Sequence, residues 1–245
     1  MNRHSTTRAL LALLAVFLAT HPVWGQCQTC KWSDRGDRFE GIANKEVSGG
    51  CCEILGVHYK RAGKIDASAS KLNLFFWLPE AASPEIVVWQ PTTNYMMVPK
   101  SRKYPGGLQS FSWPRQVVIE PLGVNIDTLF TRVRDSREVY FPVLLATSSN
   151  PEPAGSYLFI LQSGVGIDAR CIIERDAGGR LTPIRSFPFQ EEFGGIFQIP
   201  WNGLDDQGKP APPGTYVLHL TGEQEGETIE TLNFSVRFQH YGHFQ

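Results

Sequence analysis

Residues 197–220 read FQIPWNGLDDQGKPAPPGTYVLHL, and they describe a strand, a compact turn and a returning strand. Asn202 and Gly203 form a pair that tolerates positive φ, the carboxylate of Asp205 or Asp206 can accept turn amide protons, and Gly208 supplies a left-handed position to close the loop. Pro212 and Pro213 hold the approach extended, and Gly214 permits the bend into the next strand. From there Tyr216, Leu218 and Leu220 point one way while Val217, His219 and Thr221 point the other. Trp201, at the end of the first strand, is expected to cover one end of a core.

Outward from this hairpin the chain has the same grammar. Short apolar runs are punctuated by Gly, Pro, Asn and Asp, with Gly 23 and Pro 17 in 245 residues. The clearest strand is 71–78, where Leu72, Leu74, Phe76 and Leu78 share a face. Further strands are expected at 54–59, 85–90, 108–113, 117–120, 140–146, 157–162, 169–174, 184–189, 196–201, 216–221 and 228–238. Ile126, Leu129, Phe130 and Val133 fall at i, i+3, i+4 and i+7, which predicts one or two helical turns. The small, polar and Pro-rich stretch 147–155 divides two strand-rich parts and reads as a linker. The expected fold is all-β: two tandem immunoglobulin-like β-sandwiches, 53–148 and 154–239, preceded by a short cysteine-containing segment and followed by a tail at 240–245.

Trp201, Asn202, Gly203, Asp205, Asp206, Gly208, Pro213, Gly214 and Tyr216 form a spaced pattern. It resembles that of the immunoglobulin-like module first associated with the flagellar hook-capping protein, found near the C-termini of bacterial secreted and surface proteins. The resemblance covers about 20 residues directly and extends by implication over 155–239. It implies a structural or accessory module without catalytic residues. The residues themselves leave calcium binding by Asp205 and Asp206 as an alternative, but an EF-hand is excluded because Pro210 to Pro213 stand where ligands would have to come.

The N-terminus carries a charged start up to Arg8, an apolar run over 9–19 and a polar exit to Gly25, the form of a cleavable signal peptide at 1–25. The apolar run is too short to span a bilayer as an anchor. No later segment is apolar over 18 residues, so no transmembrane segment is expected after cleavage. Cys27 and Cys30 lie close to the adjacent Cys51 and Cys52 in the segment 26–52. In an oxidising compartment four such thiols favour two disulfides, each joining one of the first pair to one of the second. A zinc site from the same sulfurs and lipidation at Cys27 are the alternatives; haem attachment is excluded because Lys31, not His, follows Cys30. Cys171 reads as a buried thiol.

Charge and motif content narrow the function. The formal charge is −1, or −3 once Arg3 and Arg8 leave with the signal, so nothing attracts nucleic acid or an anionic membrane. Gly164, Gly166 and Ala169 imitate a dinucleotide fingerprint, but Gly178 and Gly179 interrupt before a crossover helix can form. His240 with His243 could be half a metal site and reads more simply as a mobile tail; Asp34, Asp37 and Glu40 read as solvated loop charge. No catalytic residue, metal or cofactor is expected. Trp77, Trp89 and Trp113 sit in an aromatic-rich region that is either core, a protein contact or a platform for sugar rings. The expectation is therefore an exported, non-catalytic structural or adhesive protein of the bacterial envelope or a surface assembly, with protein partners. It would be periplasmic, cell-surface or secreted. A carbohydrate-binding module using Trp77, Trp89 or Trp113 is the alternative.

Overall fold

The computed structural model of the chain describes residues 52–61, 66, 68–90, 95–97, 102–114, 130–149, 153–225 and 229–242. Among them every regular element is a strand, so the fold is all-β. In order these are β1 (Cys52–Arg61), β2 (Lys71–Leu78), β3 (Glu85–Gln90), β4 (Tyr95–Met97), β5 (Gly107–Pro114), β6 (Phe130–Arg134), β7 (Val143–Ala146), β8 (Pro153–Ser163), β9 (Gly166–Asp176), β10 (Leu181–Glu191), β11 (Gly195–Trp201), β12 (Gly214–Glu225) and β13 (Ile229–His240). The signal, Cys27, Cys30, Cys51 and the strand expected at 117–120 lie outside the described residues.

β6 corrects the reading of 126–133 as helical, at least from residue 130 onward. Helical spacing of apolar residues coincides here with a short strand buried on both sides, where Phe130, Thr131, Arg132 and Val133 are all buried. When both faces are covered, period two leaves no trace in the apolar pattern.

The strands form three sheets in a sandwich-like arrangement: six strands in the order β11-β8-β1-β7-β2-β5, four in the order β10-β9-β12-β13, and three in the order β4-β3-β6. β1 lies in the middle of the largest sheet. It runs antiparallel to β8, from Cys52↔Ser163 to Arg61↔Pro153, and parallel to β7 through His58↔Val143. The stretch 147–149 thus leads from one strand of this sheet towards another. β2 shows why the sheet is covered on both faces: Leu74 and Phe76 join one core while Phe75 joins the other. β7 alternates the same way, with Leu144 in one core and Val143 and Leu145 in the other. Tyr140 links the two smaller sheets. It bridges Arg134 of β6 and Phe238 of β13, its N–H donates to Arg237 O at 2.9 Å, and its carbonyl accepts from Gln239 N at 2.9 Å.

The larger core lies between β1, β8 and β11 on one side and β9, β12 and β13 on the other, around Phe159, Cys171, Leu218 and Phe238. Burial pushes the Cys171 thiol up to about 12 and the Tyr157 hydroxyl up to about 12. Both groups stay protonated in the native state, whereas in the unfolded chain they lose protons near their ordinary values of about 8.5 and about 10. Between those values and about 12 the native state binds more protons than the unfolded one, so stability falls as pH rises. The melting temperature is expected to drop steadily above about pH 9. A flat profile to pH 11 would contradict the burial of these groups.

Candidate functional site

The quoted turn is ordered by its own polar groups. Gly203 and Gly208 adopt φ of 74° and 75°, the left-handed positions the sequence asked of them. Asn202 Oδ1 accepts from Leu204 N at 3.2 Å, Trp201 Nε1 donates to Leu204 O at 2.9 Å, and Ala211 N donates to Gly203 O at 2.8 Å. Asp205 Oδ1 accepts from both Gln207 N and Lys209 N at 2.8 Å, while Gly208 N donates to Asp205 O at 3.0 Å. Beyond Pro213 and Gly214, the Tyr216 hydroxyl donates back to Pro212 O at 2.7 Å, a contact of the kind made by the tyrosine corner of sandwich folds. Asp205→Ala should orphan two amides and cost about 1–2 kcal/mol in urea denaturation. Asp205→Asn keeps an acceptor and should recover most of that.

Asp206 has a different task. Its N–H donates to Ile184 O at 2.9 Å, its Oδ1 accepts from Ser186 N at 3.4 Å, and Arg185 Nη1 stands 3.7 Å from the same oxygen. Ile184, Arg185 and Ser186 belong to β10, the outer strand of the four-stranded sheet. The turn therefore folds onto the open edge of β10 and occupies groups that would otherwise template another strand. Pro188 continues the protection: two residues past Ser186 it has the same orientation in the ladder, and it has no N–H to offer. The two carboxylates thus serve different partners. Among the described residues, no group of three or more His, Cys, Asp or Glu side chains is placed to hold a metal ion.

No family model and no curated protein matches the chain.

Trp201 joins an aromatic cluster at the end of the larger core, with ring centroids 5.0 Å from His240, 5.4 Å from Tyr157 and 5.7 Å from Tyr216 and Phe238. His240 corrects the reading of a mobile tail: it ends β13 and is 2% exposed. Its Nε2 lies 2.9 Å from the carbonyl of Ala211, which can only accept, so Nε2 carries the proton. In the neutral ring Nδ1 then accepts from the Tyr157 hydroxyl at 2.5 Å. Tyr241 N donates to Tyr157 Oη at 3.3 Å, and the Tyr241 hydroxyl donates to Trp77 O. This chain of bonds ties the quoted turn, β8 and the C-terminus to β2. It is a packing device in which both imidazole nitrogens are engaged.

The remaining candidates are dispersed. Trp77 is half-buried against Tyr241, with centroids 6.1 Å apart, so the ring is partly taken up by an internal contact. Trp89 and Trp113 lie on β3 and β5, but their side chains are outside the described residues. Cys52 is buried at the start of β1, where its sulfur accepts from Gln224 Nε2 at 3.3 Å. Two features escaped sequence reasoning. Arg132 is 1% exposed on β6, where burial pulls its guanidinium below its ordinary value against the opposing pull of Tyr140, Glu85 and Glu53. His219 Nε2 lies 2.9 Å from Glu174 Oε2 on the outer face of the four-stranded sheet. The alternation at 216–221 put His219 on that face, but only strand order could bring Glu174 beside it.

Proposed function

We propose that the chain is an exported, non-catalytic structural or adhesive component of the bacterial envelope or of a surface assembly, held there by protein partners. The observation that carries this reading is how the polar residues of the turn are used. Asp205 organises its own loop and Asp206 closes a sheet edge, so the most distinctive residues of the sequence are spent on shaping a durable β surface. We also infer that the C-terminal half is an immunoglobulin-like module of the hook-capping type. The Tyr216–Pro212 contact and the packing of β8, β9 and β11–β13 around one core support that assignment.

The test is cell fractionation of the full chain in a bacterial host, with mass analysis of the N-terminus and in situ crosslinking. A mature chain beginning at Gln26 and crosslinked to envelope proteins is the expected result. Full-length chain retained in the cytoplasm would overturn the reading.

A further inference from the structure

We propose that the free edge of β11 is a docking site for one extended, basic polypeptide strand of a partner protein. The proposal rests on the assembly reading above and names the class of partner. β11 is the outer strand of the six-stranded sheet and pairs with β8 from Gly195↔Ser163 to Trp201↔Tyr157. Pro200 fits in this strand only if its nitrogen faces away from the ladder. Ladder orientation alternates, so Ile196 and Gln198 turn their N–H and C=O groups outward with it. Among the described residues no strand pairs with that side. The same flank thus has one edge covered by the turn, β10 under Asp206 with Pro188, and one edge, β11, interrupted only by Pro200 at its lower end and open among the described residues at Ile196 and Gln198.

Side chains beside the edge agree. Phe187 and Phe189 pair with buried Cys171 and Ala169, so they point towards the core, yet both remain partly exposed. A strand added to β11 would lie over them and bring the alternating apolar side chains that complete this side of the sandwich. Phe193, 77% exposed in the turn between β10 and β11, adds an apolar side chain at the upper end, and Ile196, 42% exposed, offers another on the outer face of the edge. Exposed Glu191, on the same face as Phe187 and Phe189, and exposed Glu192 border it. They favour a cationic strand. A second copy joining its own β11 in parallel would set the same glutamates side by side, an arrangement they disfavour.

The probe is a fluorescein-labelled octapeptide alternating valine and lysine, titrated into the mature full chain and followed by anisotropy, with a valine–glutamate octapeptide as comparison. The lysine peptide should bind more tightly and lose affinity with salt. Gln198→Pro removes an outward N–H without touching the β8 ladder, and it should weaken binding about tenfold while leaving the melting temperature near that of the parent. Phe193→Ser, at an exposed turn, should weaken it by a similar factor, and Glu191→Gln with Glu192→Gln should flatten the salt dependence. Equal binding of the two peptides, or unchanged binding in both Gln198→Pro and Phe193→Ser, would overturn the proposal. So would self-association by ultracentrifugation that Gln198→Pro abolishes, which would assign the edge to a second copy, or binding that arises only after removal of 26–51, which would assign it to the chain's own lead. Envelope retention with none of the peptide effects sinks only the strand proposal; cytoplasmic retention sinks the assembly reading independently.

Discussion

Trp201→Ala is expected to destabilise the protein by about 3–5 kcal/mol, a large share of the ~5–15 kcal/mol that keeps a typical domain folded. The indole is 2% exposed and sits among Tyr157, Tyr216, Phe238 and His240, so truncation leaves a hole that the four strands carrying the indole and these rings cannot easily close. It also strips the donor from Leu204 O, loosening the turn that guards β10. Urea denaturation followed by circular dichroism measures the loss. Trp201→Phe keeps an aromatic ring but not the donor, and should fall between the parent and alanine. Melting indistinguishable from the parent in Trp201→Ala would remove the indole from this core.

Gly222→Ala should cost about 3 kcal/mol, the upper end of what overpacking usually exacts. Gly222 faces Ala169 across the β12–β9 ladder, and a Cβ placed there would stand 2.1 Å from Asp168 O and 2.6 Å from the Ala169 Cα. Both are main-chain atoms, so relief requires the two strands to part rather than a side chain to turn. Hydrogen exchange should show the loss of protection centred on β9 and β12. Unchanged stability would mean that the strands lie further apart at this point than described.

What was readable in the sequence follows from how locally each feature is determined. Lys71–Leu78 was legible as β2 because its apolar residues are numerous enough to survive burial on both faces. The turn at 202–208 was legible because left-handed glycines and short polar side chains act within a few residues of themselves. The edge cap was not, since Asp206 acts on residues about 20 positions earlier that become neighbours only after β10 and β11 are placed. β6 was misread because Phe130 and Val133, three apart, fit a helix as well as a strand with two covered faces. The burial of His240 depended on Tyr157 and Ala211, contacts 83 and 29 residues away in sequence. The alternation of Phe234, Val236 and Phe238 puts His240 on their inward face, but the partners that satisfy its ring come from distant strands that no local pattern places.

The position of β1 has a kinetic consequence. It is the first described strand to leave the ribosome, yet it lies in the middle of the largest sheet and its neighbours are β7 and β8, with pairings such as His58↔Val143 and Cys52↔Ser163. The six-stranded sheet therefore cannot be completed until more than a hundred residues have followed β1, and its central closure joins segments far apart in the chain. Such non-local topology folds slowly and leaves early strands unpaired meanwhile. Under the export proposed above, that delay would be an advantage: the half that emerges first would have no finished sheet to lock it on the wrong side.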